Sequence, residues 1–249
     1  MPYPHLKFRK NAKKDFESLC LFVDEAKYSE GRNLNWAVFE KYPHLKKYFN
    51  INKDYKIKNQ KMLQNFIKQN YQSRGKGMDK ALKKHKRNWQ KVAPNFFFLV
   101  DEIFKKREWP QGKYIAYGTI WHLYPRYLED KTFQIPFWHS KAKYILVVIA
   151  HELLHFMFYD YFYKRLAKYH SRRYNFFVWH ISEVFNNLIQ NSSAWLNCFK
   201  MRSLIYPQHK KIVNHIKSTL DKKSEWNLDD LVDLIIKEVK KEFNKKNIN

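Results

Sequence analysis

The stretch from Tyr144 to Phe162 reads YILVVIAHELLHFMFYDYF, two histidines and a glutamate set in an otherwise apolar run. Within it His151, Glu152 and His155 spell HExxH. A helix turns about 100° per residue, so the two histidines leave one face a turn apart, where both imidazoles can grip one metal ion. Zn²⁺ accepts neutral imidazole nitrogens at about 2.0–2.1 Å, and a catalytic zinc site uses three protein ligands and leaves a fourth position for water. The ion lowers the pKa of that water towards about 7, and a glutamate beside the first ligand can take its proton. A short motif also arises by chance, so burial has to carry the argument. A carboxylate and two imidazoles inside an apolar helix are costly unless something pairs with them, and a metal with its water supplies that pairing.

A third ligand is therefore required. His155 is followed by FMFYDYF, which lacks the glycine and third histidine of a metzincin continuation. Asp160 lies five residues past His155, about 140° further around the helix, and points elsewhere. Apolar patterning predicts a long helix from about Lys141 to Tyr169, a reversal at YHSRR, and a second helix from about Tyr174 to Asn191. Fourteen residues out from His155 and fourteen back, each leg about 21 Å, bring Glu183 level with His155 and leave His180 about 4.5 Å short. The second helix also carries a polar stripe of His180, Glu183, Asn187 and Gln190 at i, i+3, i+7 and i+10 among apolar neighbours. Such a stripe needs a partner when the helix is buried on most sides.

HELLH followed by Glu183 on a later helix resembles the gluzincin branch of the zincin metallopeptidases, over roughly Lys113 to Asn191. The resemblance implies one catalytic zinc held by His151, His155 and Glu183, with Glu152 as general base and proton shuttle in peptide hydrolysis. Many gluzincins place an aspartate four residues after the third ligand, whereas this chain has Asn187. Its carbonyl oxygen could accept an imidazole N–H but brings no charge to raise ligand basicity. The 27 residues between His155 and Glu183 exceed thermolysin's spacing, which makes the likeness one of architecture. In zincins the edge of a small sheet ahead of the active helix binds extended peptide. TFQIPFWH or KYIAYGTIWHL could play that part, or could form an ordinary core hairpin. For the electrophile that stabilises the oxyanion, His180 is the first choice, with Tyr206 and His209 as alternatives.

The elements around this motif predict a predominantly helical α+β fold with one small sheet. Helical spacing marks Phe16–Ala26, Leu34–Phe49 and Lys61–Tyr71, broken by SEGRN, FNINKDYKIKN and SRGKGMD. Met78–Lys106 is helical in pattern, with Pro94 expected to break or kink it. YIAYGTIWHLYP and TFQIPF read as a hairpin or small sheet, and His209–Leu220 and Leu228–Phe243 as further helices, the last capped by Asn227. The division expected is a helical region over 1–110 and a zincin-like core over 111–249.

Composition bounds the alternatives. The formal net charge is +25, but lysine outnumbers arginine 38 to 10, the imprint of an AT-rich genome rather than of a phosphate site, which would favour arginine's planar fork. Nucleic-acid association, including proteolysis of DNA-bound proteins, is thus the alternative reading, beside a catalytically inactive zincin with a structural metal. Cys20 and Cys198 stand alone, which argues against a disulfide framework and for a reducing compartment. No secretory signal is visible at the start and the polar residues interrupt the longest apolar run, so a cytoplasmic enzyme without a transmembrane segment, acting on peptide or protein, is expected.

Overall fold

A computed structural model of the chain describes residues 3–24, 34–51, 53, 55–169, 175–221 and 227–246. It is mostly helical, with a small mixed sheet of four strands. The chain divides into two units that interleave in sequence, where patterning suggested one boundary near residue 110. A sheet unit comprises His5–Arg87 and Gly112–Ser140, and a helical unit comprises Met1–Pro4, Asn88–Gln111 and Lys141–Asn249.

The sheet unit opens with β1 (Lys7–Lys10) and α1 (Ala12–Asp24), whose first turn is capped by Asn11 Oδ1 accepting from Lys13 N–H at 3.0 Å. Next come α2 (Leu34–Lys41), a 3₁₀ turn over Pro43–Tyr48, and α3 (Gln60–Phe104). The single helix expected over Leu34–Phe49 therefore ends early: Pro43 lacks an N–H and cannot continue it. Ala26 and the SEGRN break lie outside the described residues.

The 45-residue α3 runs through SRGKGMD without the expected break, and Pro94 lies in its interior without ending it. Leu63, Ile67, Met78, Trp89, Phe96 and Val100 keep a continuous buried stripe along it. Each such burial stabilises by about 1.5–3 kcal/mol, against a cost of about 1 kcal/mol per helical glycine and about 3 for proline.

After α3 follow β2 (Ile115–Thr119), β3 (Arg126–Tyr127) and β4 (Thr132–Pro136), arranged β1-β2-β4-β3. β1, β2 and β4 are parallel, with Ala116 opposite both Phe8 and Phe133, and β3 runs antiparallel to β4. The two aromatic segments thus form a small sheet and not a hairpin, since neighbouring parallel strands need a crossover rather than a tight turn. β2 lies between β1 and β4, and β4 pairs with β2 along its length and with β3 at Thr132 and Phe133. Neither segment offers a free edge on its β2–β4 side; the outer strands are β1 and β3.

Asp15 organises this unit. Fully buried, it accepts from Tyr71 O–H at 2.8 Å, Ile120 N–H at 3.1 Å and Gln134 Nε2–H at 2.9 Å, joining α1, α3, β4 and the end of β2. Burial nevertheless pushes its carboxyl up to about 6, more than these donors and Thr119 pull it down.

The helical unit contains the rest of α3, then α4 (Ala142–Tyr161), α5 (Tyr163–Leu166), α6 (Asn175–Gln190), α7 (Ser193–Phe199), α8 (Lys210–Leu220) and α9 (Leu228–Lys246). The long helix expected to reach Tyr169 stops at Phe162 and continues as α5 and a 3₁₀ turn over Ala167–Tyr169. The YHSRR reversal falls almost wholly on residues 170–174, outside those described. Asn227 caps α9 as expected, its Oδ1 accepting from Asp230 N–H at 2.8 Å. Among the described residues α4 is the one helix long and apolar enough to cross a membrane, and 67% of its most apolar stretch is buried inside the protein.

Candidate metal centre

Helices α4 and α6 pack antiparallel. Gln190 Nε2–H donates to Val147 C=O at 3.1 Å, Asn186 Nδ2–H donates to His151 C=O at 3.0 Å, and Tyr159 and Ser182 exchange a hydroxyl bond at 3.2 Å. Residue numbers fall on α6 as they rise on α4, which is the antiparallel return that the two-legged count required. Phe158 against Phe185, ring centroids 4.9 Å apart, closes the apolar part of the seam. Glu183 comes level with His155 although α4 ends at Tyr161 and is followed by α5 and a 3₁₀ turn.

On this seam His151, His155 and Glu183 come together, their ligand atoms all within 4.8 Å of one another. Nε2 of His155 is 2.9 Å from Nε2 of His151, and Glu183 places Oε2 3.1 Å from His151 Nε2 and Oε1 3.2 Å from His155 Nε2. Two imidazole nitrogens and a carboxylate thus form a triangle with edges near 3 Å. Ligands at about 2.0–2.1 Å from a tetrahedral ion stand roughly 3.3 Å apart, so the triangle is close to the size one ion needs. This group could hold a metal ion. His155 and Glu183 are fully buried, and the His151 side chain, 16% exposed, is the member of the group that solvent reaches.

The electrostatics match the geometry. Burial opposes ionisation of Glu183, but the imidazoles of His151 and His155 outweigh it and hold the carboxyl well below the usual carboxylate range. Burial likewise opposes charging His151, and the carboxylates of Glu183 and Glu152 with the Gln190 amide hold the imidazole above its ordinary value. Glu152 is buried on α4 beside His151 and acts on it through its charge. The same charge, after burial, raises the Tyr144 phenol two turns upstream.

Two outcomes differ from expectation. Asn187 does not serve a ligand histidine: its Nδ2–H donates to Glu183 C=O at 2.9 Å, and its buried Oδ1 has no hydrogen-bond partner among the described residues. Gln190 takes that part instead, with Oε1 2.8 Å from His151 Nδ1. Sequence reading placed Gln190 in the polar stripe without a role. The signal was its spacing, seven residues or two turns beyond Glu183, which returns it to the ligand face.

His180 is buried one turn before Glu183 on α6, with Nδ1 2.5 Å from Nε2 of His209. Tyr206 stacks edge-on to His209 with centroids 5.7 Å apart and packs on Trp179 at 5.4 Å. The three candidate electrophiles are therefore one cluster. Comparison with protein-family models, with curated proteins and with solved structures found no match for this chain.

Proposed function

We propose that this chain is a zinc metallopeptidase of the zincin kind, with His151, His155 and Glu183 as ligands and Glu152 as general base. His151 Nε2 and His155 Nε2, 2.9 Å apart, each with one oxygen of the Glu183 carboxylate at 3.1 and 3.2 Å, carry the reading. Two imidazoles and one carboxylate are a donor set suited to Zn²⁺, and three protein ligands are the number a catalytic site uses. When bound, zinc supplies an activated water and polarises the scissile carbonyl.

The chain's own residues do the rest. Gln190 accepts from Nδ1–H of His151 and thereby sets the tautomer that presents Nε2 to the ion. Glu152, next in sequence to that ligand, takes the proton of the attacking water and delivers it to the leaving amine. His180, one turn before Glu183 on α6 and paired with His209, is the proposed donor for the developing oxyanion, with His209 or Tyr206 as the alternative.

The burial of His155 and Glu183 also favours a second reading, a structural ion in an inactive zincin. Metal content and turnover separate the two. Purified protein is expected to contain about one zinc, and Glu152→Gln to keep the ion while losing hydrolysis of a quenched-fluorescent peptide library by a factor on the order of 10³. Wild-type turnover matching that of Glu152→Gln would favour the structural ion. Stoichiometric zinc surviving both His151→Ala and Glu183→Ala would remove both readings.

A further inference from the structure

The net charge of +25 is not spread evenly. Between Lys61 and Arg87, α3 carries nine lysines and arginines and a single acid, Asp79. That is +8 over 27 residues, or 0.30 per residue, against 25/249, or 0.10, for the whole chain. At about 100° per residue from Lys61, the buried Leu63, Ile67, Met78, Leu82 and His85 occupy an arc from roughly 200° to 300°. Seven of the nine cations fall between about −20° and +100°, opposite that arc and exposed. One face of this helix is thus held by the sheet unit's core, and the other is an uninterrupted cationic strip about 39 Å long.

The acid does not interrupt it. Lys10, on the edge strand β1, puts Nζ 2.7 Å from Asp79 Oδ2 and 3.3 Å from Gly75 C=O, which neutralises that carboxylate. β1 also turns exposed Lys7 and Arg9 to solvent and so continues the basic surface.

We propose that this face of α3 binds the phosphate backbone of a nucleic-acid duplex without reading its sequence. Lys76, Lys80, Lys83 and Arg87 recur every three or four residues, about 5–6 Å along the axis, while each strand of a duplex presents a phosphate every 3.4 Å or so. The remaining outward residues, among them Asn65, Gln69 and Gln72, are amides that can hydrogen-bond to phosphate oxygens. Met62 is the one large apolar side chain exposed on this stretch. With Met62 as its single exposed large apolar side chain and no exposed aromatic, the face has little to insert into a bilayer and no platform for stacking unpaired bases, so a duplex fits it better than a membrane or a single strand.

The test uses the full chain and fluorescein-labelled 30-base-pair DNA and RNA duplexes, followed by fluorescence anisotropy. Binding to either duplex is expected to weaken about 10²-fold between 50 and 200 mM salt, as for about four neutralised phosphates, with the two arms telling which backbone is preferred. Replacing Lys76, Lys80, Lys83 and Arg87 with Gln is expected to weaken binding at least tenfold. Replacing the exposed Lys164, Lys210, Lys211 and Lys237 of the helical unit with Gln, which removes the same charge, is expected to change it less than threefold. Circular dichroism verifies that both variants fold; if the first does not, Lys80→Gln with Lys83→Gln is read instead, for a loss of about threefold. Equal loss in both quadruple variants, no binding to either duplex, binding insensitive to salt, or tighter binding to 7:3 phosphatidylcholine–phosphatidylserine vesicles than to duplex would overturn the proposal.

Discussion

Oε1 of Gln190 stands 2.8 Å from Nδ1 of His151, and the Nε2–H of the same amide donates to Val147 C=O at 3.1 Å. One side chain on α6 therefore fixes both the His151 ring and the backbone one turn before it. An acceptor on the far nitrogen of a metal-ligating histidine typically changes affinity 10–100-fold when removed. Gln190→Leu is expected to weaken zinc binding by that factor, and Gln190→Glu, which adds charge to the acceptor, to strengthen it. Competition against a chromophoric chelator measures both. Wild-type affinity in Gln190→Leu would deny the amide its orienting role.

Zinc binding should release protons. Without an ion, Glu183 Oε2 stands 3.1 Å from His151 Nε2, and its charge favours the protonated imidazole. The ion needs that nitrogen neutral. Protons are expected to be released on binding, and affinity should rise as pH rises and fall as pH falls. Isothermal titration in buffers of different ionisation enthalpy reads the number directly; a count of zero would place His151 neutral beforehand.

Asp15 gives the sheet unit an unusual pH response. Its folded carboxyl titrates at about 6, above the ordinary 3.8, so the folded state holds the proton more tightly than the unfolded one. The stabilisation is full below about 3.8 and is lost as pH rises through 6, the reverse of a salt-bridged aspartate. The difference corresponds to about 3 kcal/mol. Urea midpoints between pH 4 and 7 are expected to fall with pH from this group, and Asp15→Asn to flatten that dependence. Parallel curves for wild type and variant would show that Asp15 does not titrate in this window.

Three glycines separate tolerance from necessity. A Cβ on Gly75 or Gly77 would meet only Lys10 Nζ at 3.7 Å or Trp138 Cζ2 at 3.8 Å, ordinary contacts, within a continuous helix. Gly75→Ala and Gly77→Ala should each stabilise by about 0.5–1 kcal/mol. On β2, a Cβ at Gly118 would lie 2.2 Å from Cε1 of the buried Phe137 ring, so Gly118→Ala should cost about 1–3 kcal/mol. Shifts in the thermal midpoint test the signs, and stabilisation by Gly118→Ala would mean that Phe137 yields freely.

The spacing of residues along single helices determined much of this protein. HELLH on one helix and a polar stripe on the next were legible because 3.6-residue periodicity is local, and the equal rise of two antiparallel legs predicted that Glu183 would meet both histidines, as it does. Asn227 declared its helix by a cap that needs only three neighbouring residues. What depended on distant partners was not legible. Two glycines and a proline read as punctuation until a buried stripe outweighed them and made α3 one helix of 45 residues. The aromatic segments carried strand propensity but no sign of whether they pair parallel, and β1 joined the sheet from more than a hundred residues away. Gln190 rather than Asn187 came to hold His151 because Asn187 turns its amide back onto Glu183 C=O, a choice between two stripe residues that spacing alone does not make. Sequence therefore determined which groups would be buried, and tertiary packing decided which of them face one another.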